Sequence, residues 1–187
     1  LEIDITADLK TLNLAEFSSP ANIRKKISDP YGCSLREYRE CFKDIDFCKL
    51  IIEPRRGYGL ALRKGMAQAK GDIIVMVDGD GTYEFKHINR LLQHLTETDA
   101  DLCMATRMYD PHKAMGMLNF VANKVMTFWF DLLFMQFLSD TQTGFRAIDR
   151  AAFEKVELKE DDMSFATEML VGFAKKDFKM VEVPTTY

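Results

Sequence analysis

The chain has 187 residues, the length of a single domain able to bury most of the surface it would expose unfolded. With 47% hydrophobic and 29% charged residues it is neither disordered nor collagen-like, nor a small disulfide scaffold. A net charge of -4 and a pI near 5.5 argue against broad electrostatic binding to nucleic acid.

The first residue is Leu1 rather than Met, which predicts a segment of a longer chain. Residues 1 to 48 offer a strand at Leu1 to Ile5 and a helix introduced by Ser19-Pro20. A turn at Asp29-Pro30-Tyr31-Gly32 and a charged helix near Leu35 to Phe42 follow. Cys33, Cys41, Cys48 and Cys103 show no C-x-x-C spacing and no His at zinc-ligand distance, so they read as free cytosolic thiols. Lys49 to Glu53 is a short apolar strand. The loop Pro54-Arg55-Arg56-Gly57-Tyr58-Gly59 then opens a helix from about Leu60 to Lys70, stopped by Gly71. With the strand at Ile73 this makes a β-loop-α-β unit of the size a right-handed parallel crossover needs.

Residues Ile73 to Tyr83 read IIVMVDGDGTY. Their apolar start predicts a strand buried on both faces, running straight into Asp78 and Asp80 around Gly79. Chemistry in open α/β sheets sits at the carboxyl edge of such strands. Two carboxylates in a Gly-rich turn suit a hard divalent cation carrying phosphate oxygens. The plain alternative is an Asp-Gly turn made for backbone reasons alone.

Phe85, Ile88, Leu91, Leu92 and Leu95 recur at helical spacing, so Lys86 to Thr96 is an amphipathic helix. His87 and His94 on it read as surface residues, and His112 falls in a loop after Asp110-Pro111. A strand from Asp101 to Thr106 ends at Arg107. Met115 to Leu138 is rich in Met, Phe, Leu and Val, but Asn119, Asn123, Lys124, Asp131 and Gln136 make a membrane span too costly. One or two core helices are expected there, with contact to a membrane headgroup region as the other reading. The polar loop Asp140 to Arg146 follows, then a helix near Arg150 to Lys155. Another helix, Ser164 to Lys176, carries Glu168 near its middle. Val181 to Tyr187 reads as a strand that stops abruptly, so more chain is expected after it. Alternating strands and helices predict an α/β fold with a largely parallel sheet flanked by helices.

Several of these pieces, in this order, carry a resemblance. Gly57-Tyr58-Gly59 with Arg63 and Gly65, Ala69-Lys70-Gly71-Asp72, Asp78-Gly79-Asp80, Arg107, Asn123, Asp140-Thr141-Gln142-Thr143-Gly144-Phe145-Arg146, Glu168-Met169-Leu170 and Val183-Pro184 resemble family 2 glycosyltransferases. More narrowly, they resemble the dolichyl-phosphate or polyprenyl-phosphate hexose synthases. The resemblance covers residues 49 to 187 of a single domain, with 1 to 48 atypical. It implies a GT-A fold and inverting transfer of a hexose from a nucleotide-sugar to a polyprenyl or dolichyl phosphate at the cytoplasmic face of a membrane. It also implies Mg2+ or Mn2+ held by Asp78 and Asp80. Asp78, Asp80, Asp140 and Glu168 then form the catalytic set, and Gly57, Gly59, Asp78, Arg107 and Arg146 bind the donor and its phosphates.

The chemistry agrees with that inventory. Breaking the bond to a nucleotide diphosphate leaves negative charge that a cation stabilises. A phosphate monoester acceptor, with a second ionisation near pH ~6, is already largely anionic at neutral pH and needs cationic clamps more than a base. Arg107 and Arg146 would be those clamps, through bidentate pairing. For a hydroxyl acceptor, Asp140 or Glu168 would be the base. Four departures from the family pattern stand out. Neither the Asn-Glu pair after the first strand nor the following Asp-Asp-Gly-Ser-type turn is present, Thr82 replaces a frequent Gln, and Asn119 stands where an Arg is common. The wording of Asp140 to Arg146 is closer to the UDP-hexose branch than to the GDP-mannose branch. The competing reading is a non-catalytic or truncated domain that serves as a binding module. A nucleotidyltransferase would require a Gly-rich basic loop after the first strand, which is not evident.

Overall fold

The structure, a computed structural model, describes residues 51, 53–78, 83–108 and 116–185. The elements and cysteines expected in residues 1 to 48, most of the strand expected at 49 to 53, Asp80, Thr82 and His112 lie outside the described residues.

Helix α1 is Tyr58–Gln68, and strand β1 is Ile73–Met76. A single 3-10 turn, Phe85–His87, leads into α2, Ile88–Thr98, and then β2, Leu102–Thr106. Helix α3 is Met117–Phe134 and β3 is Arg146–Asp149. The short α4, Arg150–Phe153, is capped by the Asp149 side chain, which accepts from Ala152 N at 2.8 Å. Helix α5, Phe165–Ala174, and strand β4, Met180–Pro184, complete the order.

Among the described residues the strands form a four-stranded sheet in the order β1-β3-β2-β4. Period-two alternation sends side chains to opposite faces. Ile74, Met76, Leu102, Met104 and Ile148 face Leu62 and Met66 of α1 and Phe165, Met169, Leu170 and Phe173 of α5. Cys103, Ala105 and Ala147 face Leu91, Leu92 and Leu95 of α2. The buried Cys103 thiol is pushed up to about 12 by burial and the nearby Glu182, so it is an inert core group. Helices thus cover both faces, each through an apolar stripe worth about 1.5–3 kcal/mol per fully buried large side chain.

One expectation is refined and one corrected. Among the described residues β1, β2 and β4 run the same way, β2 and β4 pairing parallel, while β3 pairs antiparallel with both β1 and β2 and makes the sheet mixed. The cause is the route of the chain. It reaches the carboxyl edge through the 136–145 loop and enters the sheet from there, so Arg146 starts opposite Met76 and Met104 and β3 runs backwards. The second concerns 115 to 138, expected as core. Helix α3 buries only Asn123, Thr127 and Phe130, while Leu118 is 81% and Phe128 61% exposed. Asn123 and Thr127 face the protein together with Phe130, while most of the other apolar residues from Met117 to Leu133 face outward. His87 also differs, being half-buried 3.6 Å from Glu84.

Candidate functional site

The carboxyl ends of β1, β2 and β4 and the start of β3 meet on one edge of the sheet. Asp78 lies two residues beyond β1, Arg107 directly follows β2, and the 139–145 loop returns between them.

Asp140 is fully buried at the centre of this edge. Its Oδ2 accepts from Arg107 N at 3.1 Å and Arg107 Nε at 2.7 Å, and its Oδ1 accepts from Arg107 Nη2 at 2.8 Å. Asn123 Nδ2 at 2.6 Å and Gln142 N at 3.2 Å complete the set. Burial pushes the Asp140 carboxyl up, but the hydrogen bonds and charge of Arg107, with the Asn123 bond, hold it below the usual carboxylate range. A carboxylate so committed is a weak base and a strong orienting group. It fixes the plane of Arg107, whose side chain keeps 16% of its surface exposed.

Asp78 is half-buried, and Tyr58 Oη donates to its Oδ1 at 3.1 Å. Its carboxylate lies over Gly144, where a Cβ would stand 2.5 Å from Asp78 Cγ. Only glycine allows that approach. Gly144 N in turn donates to Tyr83 Oη at 2.8 Å, which lies 3.2 Å from Thr143 Oγ1. The Tyr83 ring packs edge-on against Phe145. Asp78 and the loop that carries Gly144 are therefore pressed together.

Arg146 is placed differently from expectation. It is 0% exposed, and donates to the carbonyls of Thr143 (Nε, 3.0 Å), Ala166 (Nη1, 2.8 Å) and Thr141 (Nη2, 3.1 Å). Burial pulls its pKa down to about 10, against the opposing influence of Tyr58, Tyr83, Asp140 and Asp78, so it stays cationic at neutral pH. It braces the loop from beneath and offers no surface to a phosphate. Glu168 is likewise no free base. Its carboxylate accepts Lys159 N at 2.9 and 3.0 Å and Glu160 N at 2.9 Å, anchoring the 157–161 loop.

That loop explains Gly57 and Gly59, which were expected at a phosphate. Asp161 O accepts from Leu60 N at 3.1 Å, and Leu158 O accepts from Arg63 at 3.1 Å. Gly57 has φ 150°, and a Cβ there would stand 2.5 Å from Asp161 O; one on Gly59 would stand 2.8 Å from Phe165 Cβ. Close packing of the start of α1 against the 157–161 loop and the start of α5 requires these glycines.

The residue patterns did not single out Tyr83 or Glu182, and gave Tyr58 and Asn123 no role. Asn123 had a legible signal, an amide inside an apolar helical run. Asp78, at the sheet edge, offers the hard oxygen donor a divalent cation prefers. Among the described residues no group of three or more His, Cys, Asp or Glu is placed to hold a metal, and Asp80 lies outside them.

The model of the family described as Glycosyl transferase family 2 matches residues 33–156, starting earlier than residue 49, where the motifs become legible. The low-salt glycan biosynthesis hexosyltransferase Agl6 of Haloferax volcanii is 32% identical over 142 residues, 74% of this chain and 34% of that protein. Glycosyltransferase AglJ of the same organism is 34% identical over 158 residues, 83% of this chain and 52% of that protein. A dolichyl-phosphate beta-glucosyltransferase of Saccharomyces cerevisiae is 26% identical over 167 residues, 79% of this chain and 48% of that protein. The chain thus spans from a third to about half the length of these relatives. Glucosyl-3-phosphoglycerate synthase from Mycobacterium tuberculosis, solved with UDP, superposes with a TM-score of 0.54 at 16% identity, covering 73% of this chain and 48% of that one. The shared architecture is the GT-A fold.

Proposed function

We propose that this chain, which belongs to glycosyl transferase family 2, is the catalytic domain of an inverting hexosyltransferase. Its donor is a nucleotide-sugar, UDP-hexose in preference to GDP-mannose, and its acceptor is a polyprenyl or dolichyl phosphate. The observation that carries the reading is the two-point clamp of the buried Asp140 on Arg107, on the same sheet edge as Asp78. Stability alone does not call for it, since a buried ion pair rarely outperforms an apolar pair of similar volume. A guanidinium held in one plane with part of its surface open suits an anionic oxygen.

In this reading Asp78 and Asp80 hold Mg2+ or Mn2+, which supplies Lewis-acid stabilisation to the departing diphosphate. Arg107 binds a phosphate oxygen, and Asp140 keeps it aligned while Asn123 and Gln142 N hold Asp140. Tyr58 orients Asp78. Because an ionised phosphate monoester needs no strong base, the weak basicity of Asp140 is no obstacle. The outward apolar row of α3 seats the domain on the headgroup region of the cytoplasmic face. Among the described residues no helix is long and apolar enough to cross a membrane.

Calorimetric titration of the chain with UDP, GDP and Mn2+, singly and in pairs, with Asp80→Ala as control, tests the proposal. Metal-dependent binding of one nucleotide, lost in the variant, is expected. No binding by folded protein would favour the non-catalytic domain, the reading that the missing base-binding motifs support.

A further inference from the structure

We propose that Glu182 is a positioning residue of the transfer site, holding the loop that carries Asp140 so that Asp140 presents Arg107 correctly. The inference rests on the transferase reading above and adds to it a residue that makes no contact with a reacting group. Glu182 sits in β4 opposite Met104 of β2. Its Oε2 accepts Ser139 N at 2.7 Å and its Oε1 accepts Asp140 N at 2.9 Å. Two oxygens of one carboxylate on two successive amides fix both the position and the direction of the main chain there.

The side chain of Asp140 then leaves this anchored backbone and grips Arg107. Arg107 follows Thr106, whose Oγ1 lies 2.6 Å from Ser139 Oγ and whose Cα partner in β4 is Pro184. The contacts close a ring: β2, Arg107, Asp140, Ser139, Glu182, β4 and back to β2. Each member is tied to a sheet strand at one end, so the guanidinium plane is referred to the rigid sheet rather than to a loop. Burial and the charge of Asp140 push the Glu182 carboxyl up, against the pull of the two amides. A buried carboxylate beside a second one is a costly arrangement, and its return is the geometry of that loop.

The test is hexose transfer from UDP-glucose or GDP-mannose to a short dolichyl phosphate in detergent, with the full chain and its Glu182→Gln variant. Gln keeps the shape but turns an NH2 toward a main-chain N–H. The variant is expected to lose kcat by about 10- to 100-fold, the scale of a misplacement near 1 Å. KM for the donor should stay within about twofold, and amide hydrogen exchange in residues 138–142 should accelerate. Glu182→Asp, which keeps the charge but withdraws it by one methylene, should show the same pattern and serves if the Gln variant does not fold. Wild-type kcat in either variant overturns the role of Glu182, as does a fall in activity that only tracks the folded fraction. A wild-type chain that transfers no hexose from either donor overturns the transferase reading and the role built on it; the exchange data then report separately whether Glu182 holds the loop.

Discussion

Gly144→Ala places a single methyl between the two halves of the site. The added Cβ would stand 2.5 Å from Asp78 Cγ and 2.8 Å from its Oδ1, and nearer still to Oδ2. Ordinary carbon contacts begin at about 3.5 Å, so the Asp78 carboxylate has to withdraw by roughly 1 Å. It is tethered by Tyr58 at 3.1 Å, and Gly144 is itself tethered to Tyr83 at 2.8 Å, so neither side yields freely. The overpacking is expected to cost about 1–3 kcal/mol of stability. A 1 Å displacement of a group in the reacting region costs about 100-fold in rate. Thermal melts and transfer assays on the variant measure both. Gly65→Ala is the control: nothing lies within 4 Å of a Cβ there, and a mid-helix Gly-to-Ala change is expected to stabilise α1 by about 0.8–1 kcal/mol. If Gly144→Ala melts and turns over like wild type while Gly65→Ala behaves as expected, Asp78 does not work against the 139–145 loop.

Arg107→Ala leaves the buried Asp140 charge without its partner and is expected to cost about 3–5 kcal/mol by denaturant unfolding. Arg107→Lys keeps the charge but not the fork, so it should fold with a smaller loss and still fail in transfer. Because the Asp140 carboxyl lies below its unfolded value, its stabilisation is complete above about pH 4 and lost as pH falls through the folded value. Asp140→Asn should therefore flatten the acid side of a melting-temperature profile; a curve parallel to wild type would refute the assignment. Phe128→Glu combined with Leu133→Glu should release the chain from phosphatidylcholine vesicles in a flotation assay by at least about tenfold, since each side chain contributes roughly 1.5–3 kcal/mol when buried.

Helix α2 was legible because its apolar spacing matches its burial, and α1, α5, β1, β2 and β4 were legible from apolar content and the turn residues that flank them. Strand β3 was not. Arg146-Ala147-Ile148-Asp149 is four residues long and begins with a charge, and only the tertiary route through the 136–145 loop turns it into a central strand. Helix α3 misled in the opposite sense: composition gave a helix, but periodicity cannot say whether an apolar face meets a core or something outside the chain. Within the candidate site, the positions of Asp78 and Arg107 just after strands and of Asp140 in a polar loop were readable. The roles of Arg146 and Glu168 were not, because a charge that satisfies main-chain groups looks in sequence like one that waits for a ligand.

That distinction orders the site. Glu168 and Glu182 each spend their oxygens on main-chain amides of successive residues, which fixes a loop whatever ligand is present. Arg146 does the same with three carbonyls. Asp78 and Asp140 also engage the side chains of Tyr58, Arg107 and Asn123, Asp140 accepting the amides of Arg107 and Gln142 besides. The first group of charges is bound mainly to backbone, the second largely to side chains. Substitutions of Glu168 or Arg146 should consequently lower stability and activity together, whereas those of Arg107 to Lys should separate the two.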